Sequence, residues 1–203
     1  MAILVLCLLL AATFRLSFSP EQTVFSNDGP LGLISSESGA LPSGFQGVWQ
    51  DLNWLGIEAV SASPNITNTL ALITGPLIFS KVFPPVALLF LGLCARFFSR
   101  QLRFSPMVCA LVALAAALHT NTFSNACWGL PSRALTLGAI FLALAALHSA
   151  THNRPFLKTA LAGMAVGLSI MEGFDVGAFF SLCVAAFALF QTWILTGESP
   201  AKK

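Results

Sequence analysis

The sequence predicts an all-α polytopic membrane protein: about six transmembrane helices and one large outer loop containing an interfacial amphipathic helix. Three observations carry this reading. Of 203 residues, 56% are hydrophobic and only 9% are charged, with a mean hydropathy of +0.82. A soluble domain carries about 25% charge, so this chain has too few charges to cover a water-facing surface. Apolar runs near the length of a bilayer crossing recur along the chain, and the basic residues are sorted by loop. The net charge of +2 is spread thinly and sorted by loop, so it says nothing for nucleic acid; membrane lipids are the expected partners and nucleic acid is not.

A crossing helix needs about 20 apolar residues. Six runs qualify, at about 1–18, 84–99, 105–122, 131–148, 157–171 and 175–195. The shorter ones require tilt or thinning of the bilayer. The first run reads as an uncleaved anchor: it has no basic residue ahead of it, and Arg15 interrupts the zone where a signal peptide would be cut. The whole apolar stretch 68–98 would span about 46 Å as one helix. Lys81 and Pro84-Pro85 interrupt it. It is therefore divided into a re-entrant or interfacial piece, about 66–80, and a span that starts at Pro84, because proline suits the first turn of a helix. A single membrane domain over 1–203 follows. It has a first span (1–18), a large outer loop (19–83), five short-looped spans (84–196) and an inner tail (197–203).

Placing both termini inside puts Arg96, Arg100, Arg103, Arg154, Lys158, Lys202 and Lys203 on the inner side. That is the positive-inside pattern, and it suits a bacterial inner membrane. The acids segregate the other way: Glu21, Asp28, Glu37, Asp51, Glu58, Glu172 and Asp175 all fall outside.

In the outer loop, FSNDGPLG places Asp28 in an Asn-Asp-Gly-Pro turn soon after the first span. Such residues make turns for their own sake, and an acid at headgroup depth also suits catalysis. GVWQDLNWLGIEAV, with Trp49 and Trp54, reads as an amphipathic helix, either in the headgroup layer or packed on the outer ends of the spans. Asn65-Ile66-Thr67 matches a glycosylation sequon. Glu172 and Asp175, three apart, sit either deep in hydrocarbon or in a short outer turn. HTNTFSNACWGLPSRA supplies His119, Asn121 and Arg133, and Lys81 and Arg133 are the outer cations beyond Arg15. The five cysteines lie in or beside apolar runs without CxxC spacing and read as small hydrophobes.

A first span, a large outer loop with an early acid, an interfacial helix and short-looped spans together resemble the GT-C superfamily of membrane glycosyltransferases. FSNDGPLG, GVWQDLNWLG, FSNACWGLPSRA and IMEGFDVGAFFSLCVAAFALFQ resemble the N-terminal membrane part of YfhO-like bacterial proteins. The resemblance implies transfer of a sugar from a polyprenyl phosphate to a hydroxyl acceptor on the outer face. Asp28 would be the catalytic base. Lys81, Arg133, His119 and Asn121 would form the phosphate and substrate contacts. Asp51, Glu172 and Asp175 would be supporting acids, or ligands of a divalent metal such as Mg or Mn. Such enzymes carry more spans and a soluble C-terminal domain, so further membrane subunits or a missing C-terminal part are candidate partners. The alternatives from another class are a non-catalytic membrane scaffold and a small ion-coupled transporter using Glu172 and Asp175.

Overall fold

The computed structural model describes residues 2–24, 26–46, 48–50, 57–59 and 64–197. Its central element is α4 (Pro76–Gln101), preceded by α3 (Ile66–Thr74). The break between them falls at Gly75, with φ +75°, and not at Pro84. Pro84 and Pro85 lie inside α4. A proline has no N–H for the carbonyl four residues back, so Pro85 leaves the Lys81 carbonyl free. The Ser17 hydroxyl donates to that carbonyl at 3.3 Å. A side chain from far earlier in the chain thus replaces the bond that proline removes, and the helix continues. Together α3 and α4 make an apolar helical run of 36 residues. At 1.5 Å per residue this is about 54 Å, longer than the ~30 Å hydrocarbon core, so part of the run projects beyond it.

α1 (Ala2–Thr13) has 12 residues, or about 18 Å of helix, well short of the core thickness. It lies antiparallel to α4: Leu6 meets Gly92 while Ser17 meets Lys81. A Cβ at Gly92 would stand 2.7 Å from Leu6 Cδ2 and 3.0 Å from the Ala113 carbonyl. Glycine there lets α1, α4 and α5 come together. α5 (Pro106–Leu118) and α6 (Thr120–Trp128) replace the expected span 105–122; they bend by 42° at His119, whose ψ of 129° is not helical. α7 (Ser132–Ala150), α8 (Pro155–Glu172) and α9 (Phe174–Gly197) follow, joined by short turns.

Among the described residues, three helical runs are long and apolar enough to cross a membrane: 66–101, α7 and the first 21 residues of α9. The bent α5–α6 pair makes a fourth if it is one span. The core is built by Leu6, Leu10 and Phe14 against Phe83, Leu88 and Leu91, with a second cluster of Ile140, Ala143, Ala162 and Val184. Large apolar side chains face outward, among them Met107, Phe156, Met164, Leu182 and Leu189. Such a surface suits lipid contact.

Over GVWQDLNWLGIEAV, the stretch expected to form an amphipathic helix, residues 48–50 and 57–59 are strands, and residues 47, 51–56 and 60 lie outside the described residues. Val48–Gln50 (β1) and Ile57–Ala59 (β2) pair as antiparallel strands, with Trp49 opposite Glu58. Val48, Trp49 and Ile57 are β-branched or aromatic residues that favour strands, and Gly56 weakens a helix interior. Helices do form on either side of this strand pair: α2 (Leu31–Gly39) and α3.

Helix directions sort the charges to two ends. Phe98 meets both Phe141 of α7 and Phe187 of α9, and His148 meets Gln191, so α4, α7 and α9 run the same way. Arg96, Arg100, Arg103, Arg154 and Lys158 gather where these helices finish. Asp28, Glu37, Glu172, Asp175, Lys81 and Arg133 lie toward the opposite end.

Candidate functional site at the acidic end of the bundle

The Asp28 turn is seated on the end of α6 by backbone contacts. The Asp28 N–H donates to the Trp128 carbonyl at 2.9 Å. Gly29 then passes directly over Gly129, the left-handed residue (φ +107°) that ends α6. A Cβ at position 129 would lie 2.4 Å from Gly29 N. The turn therefore does not use the Asp28 carboxylate. That side chain is exposed, and among the described residues nothing donates to it.

Asp28 lines a cavity of about 120 Å³ at this end. Glu37 comes from α2, Thr67 from α3, Ser80 from α4 and Ser132 from the start of α7. Phe79 and Phe83 make an apolar wall. Two carboxylates thus face several hydroxyls across a small space. Partial desolvation raises the Glu37 carboxyl above its ordinary value of 4.5. The expected site did not include Glu37, Thr67, Ser80 or Ser132. Glu37 was visible only as one of the segregated acids, and Thr67 only as the third residue of the sequon.

The other expected site residues are held elsewhere. Lys81 Nζ donates to the Ser19 carbonyl and, at 3.3 Å, to that of Pro20; it straps the chain after α1 onto α4. Arg133 forms an ion pair with Asp175 at 3.6 Å and donates to Asn125 Oδ1 at 3.2 Å. Asn125 in turn donates to Asn121 Oδ1 at 3.0 Å. Asp175, Arg133, Asn125 and Asn121 thus form one polar chain beside the cavity. His119 is exposed at the α5–α6 bend. Asp51 lies outside the described residues.

Glu172 is 94% buried and lies neither in bare hydrocarbon nor on an exposed turn. One oxygen accepts from the N–H groups of Ile66 (2.6 Å) and Thr67 (3.3 Å); the other accepts from the Thr67 hydroxyl at 2.6 Å. A carboxylate at a helix N-terminus satisfies donors that lack an intrahelical partner. Asn65 completes this cap: its Oδ1 accepts from Asn68 N–H at 2.8 Å and its Nδ2 donates to the Met171 carbonyl at 3.1 Å. The sequon asparagine is committed and buried, which is incompatible with carrying a glycan in this fold.

These partners also bear on the expected metal ligands. Among the described residues no three His, Cys, Asp or Glu side chains converge. Glu172 has its oxygens taken by three donors and Asp175 faces a guanidinium, so neither is free to ligate a divalent ion. No protein-family model, curated protein or solved structure matches the chain.

Proposed function

We propose that the chain is a GT-C-like module of a bacterial inner membrane, crossing it six times with both termini inside. It transfers a sugar from a polyprenyl phosphate to a hydroxyl acceptor. α1 and α8 would complete the six crossings with local thinning of the bilayer. The observation that carries the reading is the free carboxylate of Asp28 on a cavity lined with hydroxyls. A general base must reach the proton it removes; no described donor occupies the oxygens of either Asp28 or Glu37, the two acids of this cavity, and the family resemblance favours Asp28 as the base. The Thr67 and Ser80 hydroxyl protons are spent on Glu172 and the Leu77 carbonyl, so these oxygens can only accept from an acceptor hydroxyl, and Ser132 is the remaining hydroxyl of the α3, α4 and α7 walls. The donor phosphate needs cations. Lys81 is committed to the Ser19 and Pro20 carbonyls, so Arg133, next in sequence to Ser132 of the cavity wall and held by Asp175 and Asn125 at a partly exposed position, is the better candidate for that contact.

The test is turnover of a fluorescent polyprenyl-phosphate sugar by the purified protein in lipid, supplied with hydroxyl acceptors. Product from the wild type and its loss in Asp28→Asn are the expected results. Full turnover in Asp28→Asn overturns the base assignment.

A second reading, a non-catalytic scaffold, is favoured by one specific observation. Lys81, Glu172 and Arg133 all spend their charge within the chain. Absence of product from the wild type with every lipid-linked sugar tried would select it. The ion-coupled reading requires Glu172 to exchange protons while it accepts three hydrogen bonds, and uptake into liposomes that Glu172→Gln abolishes would restore it.

A further inference from the structure

We propose that the cavity at the basic end, between the finish of α4 and the start of α5, binds the phosphate of an anionic lipid headgroup. This cavity holds about 340 Å³ and is lined by Arg96, Arg100, Phe104, Pro106 and Cys109. Its polar groups are guanidinium donors. Arg96 Nε is shut off from solvent and has no acceptor among the described residues. The guanidinium charge of Arg96 is thus left uncompensated from within, and a phosphate held by the accessible guanidinium nitrogens of Arg96 and Arg100 would compensate it with charge-assisted hydrogen bonds. The cations are not neutralised from within. The sequence has no Asp or Glu from position 59 to 171, and among the described residues no carboxylate pairs with these arginines. The turn adds a third cation, Arg103, held in the left-handed region at φ +61°.

The surroundings select a lipid as the source of that phosphate. A free phosphate needs donors on most of its oxygens, whereas this wall is apolar apart from the two arginines. Phe97, Phe104 and Met107 are exposed around it and offer contact to acyl chains. The cavity also sits at the end of a helix long enough to cross the bilayer, where headgroups lie. Basic pockets between spanning helices suit anionic headgroups.

The experiment is native mass spectrometry of the full-length protein released from vesicles of mixed phosphatidylglycerol and phosphatidylcholine. Retained phosphatidylglycerol is expected to exceed phosphatidylcholine. It is expected to fall roughly tenfold in Arg100→Gln and further in the Arg96→Gln/Arg100→Gln double variant, since one charge-assisted bond is worth about a factor of ten. Arg100→Lys should keep part of the preference. Arg154→Gln, a cation outside the cavity, should keep all of it. Thermal unfolding of each variant with and without phosphatidylglycerol separates loss of the site from loss of the fold: a folded variant that lipid no longer stabilises supports the site. Equal retention of the two lipids, or unchanged preference in the double variant, overturns the proposal. Displacement of the lipid by millimolar inorganic phosphate assigns the site to a soluble anion and overturns the lipid source.

Discussion

The Glu172 carboxylate accepts the Thr67 hydroxyl at 2.6 Å, and Thr67 lines the cavity that holds Asp28. The end of α8 thereby fixes a wall of a site built by α2, α3, α4 and α7. Truncation of Glu172 to alanine leaves three donors of the α3 N-terminus without an acceptor. The expected cost is about 2–3 kcal/mol, read as a lowered unfolding temperature in detergent. Glu172→Gln keeps an acceptor for the Ile66 and Thr67 N–H groups and should cost less. If Glu172→Ala unfolds at the wild-type temperature, the capping role is wrong.

Gly129 controls the seat of Asp28. An alanine there meets both a φ of +107° and a Cβ 2.4 Å from Gly29 N. Because the near atom is backbone, one chain must move. Gly129→Ala should cost more than the 1–2 kcal/mol of left-handed strain alone and should displace the Asp28 turn. Gly29→Ala, with its closest approach of 3.1 Å to the Gly129 carbonyl, should be milder. Thermal unfolding of the two variants checks the order.

Glu37 gives the acidic end a pH dependence. Partial desolvation raises its carboxyl in the folded protein, so the folded state holds the proton more tightly than the unfolded chain. Below about 4.5 both states are protonated and the group is neutral to stability. As pH rises from there through the raised folded value, the unfolded state gains by ionising and stability falls. Glu37→Gln should remove that part of the slope when unfolding temperature is measured against pH. An identical slope in the variant contradicts the assignment.

Much of the helical architecture was legible because long apolar runs have few alternatives, although α8 is not among the helices long and apolar enough to cross a membrane. Expected boundaries of 131–148, 157–171 and 175–195 became Ser132–Ala150, Pro155–Glu172 and Phe174–Gly197. The outer segment was harder. Its paired strands are three residues long, and Trp, Val, Ile and Leu at mixed spacing fit a short helix as readily as a strand. The proline pair misled for a tertiary reason: the carbonyl that Pro85 orphans is bonded by Ser17, 64 residues earlier. At the site, the sequence singled out Asp28 by its turn and its position past an apolar run. It could not show that Lys81 bonds the Ser19 and Pro20 carbonyls or that Glu172 caps α3, since those partners are distant in sequence. Nor did it mark Glu37, Thr67, Ser80 and Ser132, which are ordinary residues until four helices bring them to one cavity.

The central claim is that the Asp28 cavity opens on the outer face, opposite the cluster of Arg96, Arg100 and Arg103. The most direct measurement is labelling of single cysteines at position 28 (Asp28→Cys) and position 100 (Arg100→Cys), with the five native cysteines replaced. Spheroplasts of a bacterial host are treated with a membrane-impermeant maleimide before and after permeabilisation. Labelling of position 28 in intact spheroplasts, with position 100 reacting only after permeabilisation, is the expected result. Labelling of position 100 first, with position 28 protected until the membrane is opened, would contradict the account.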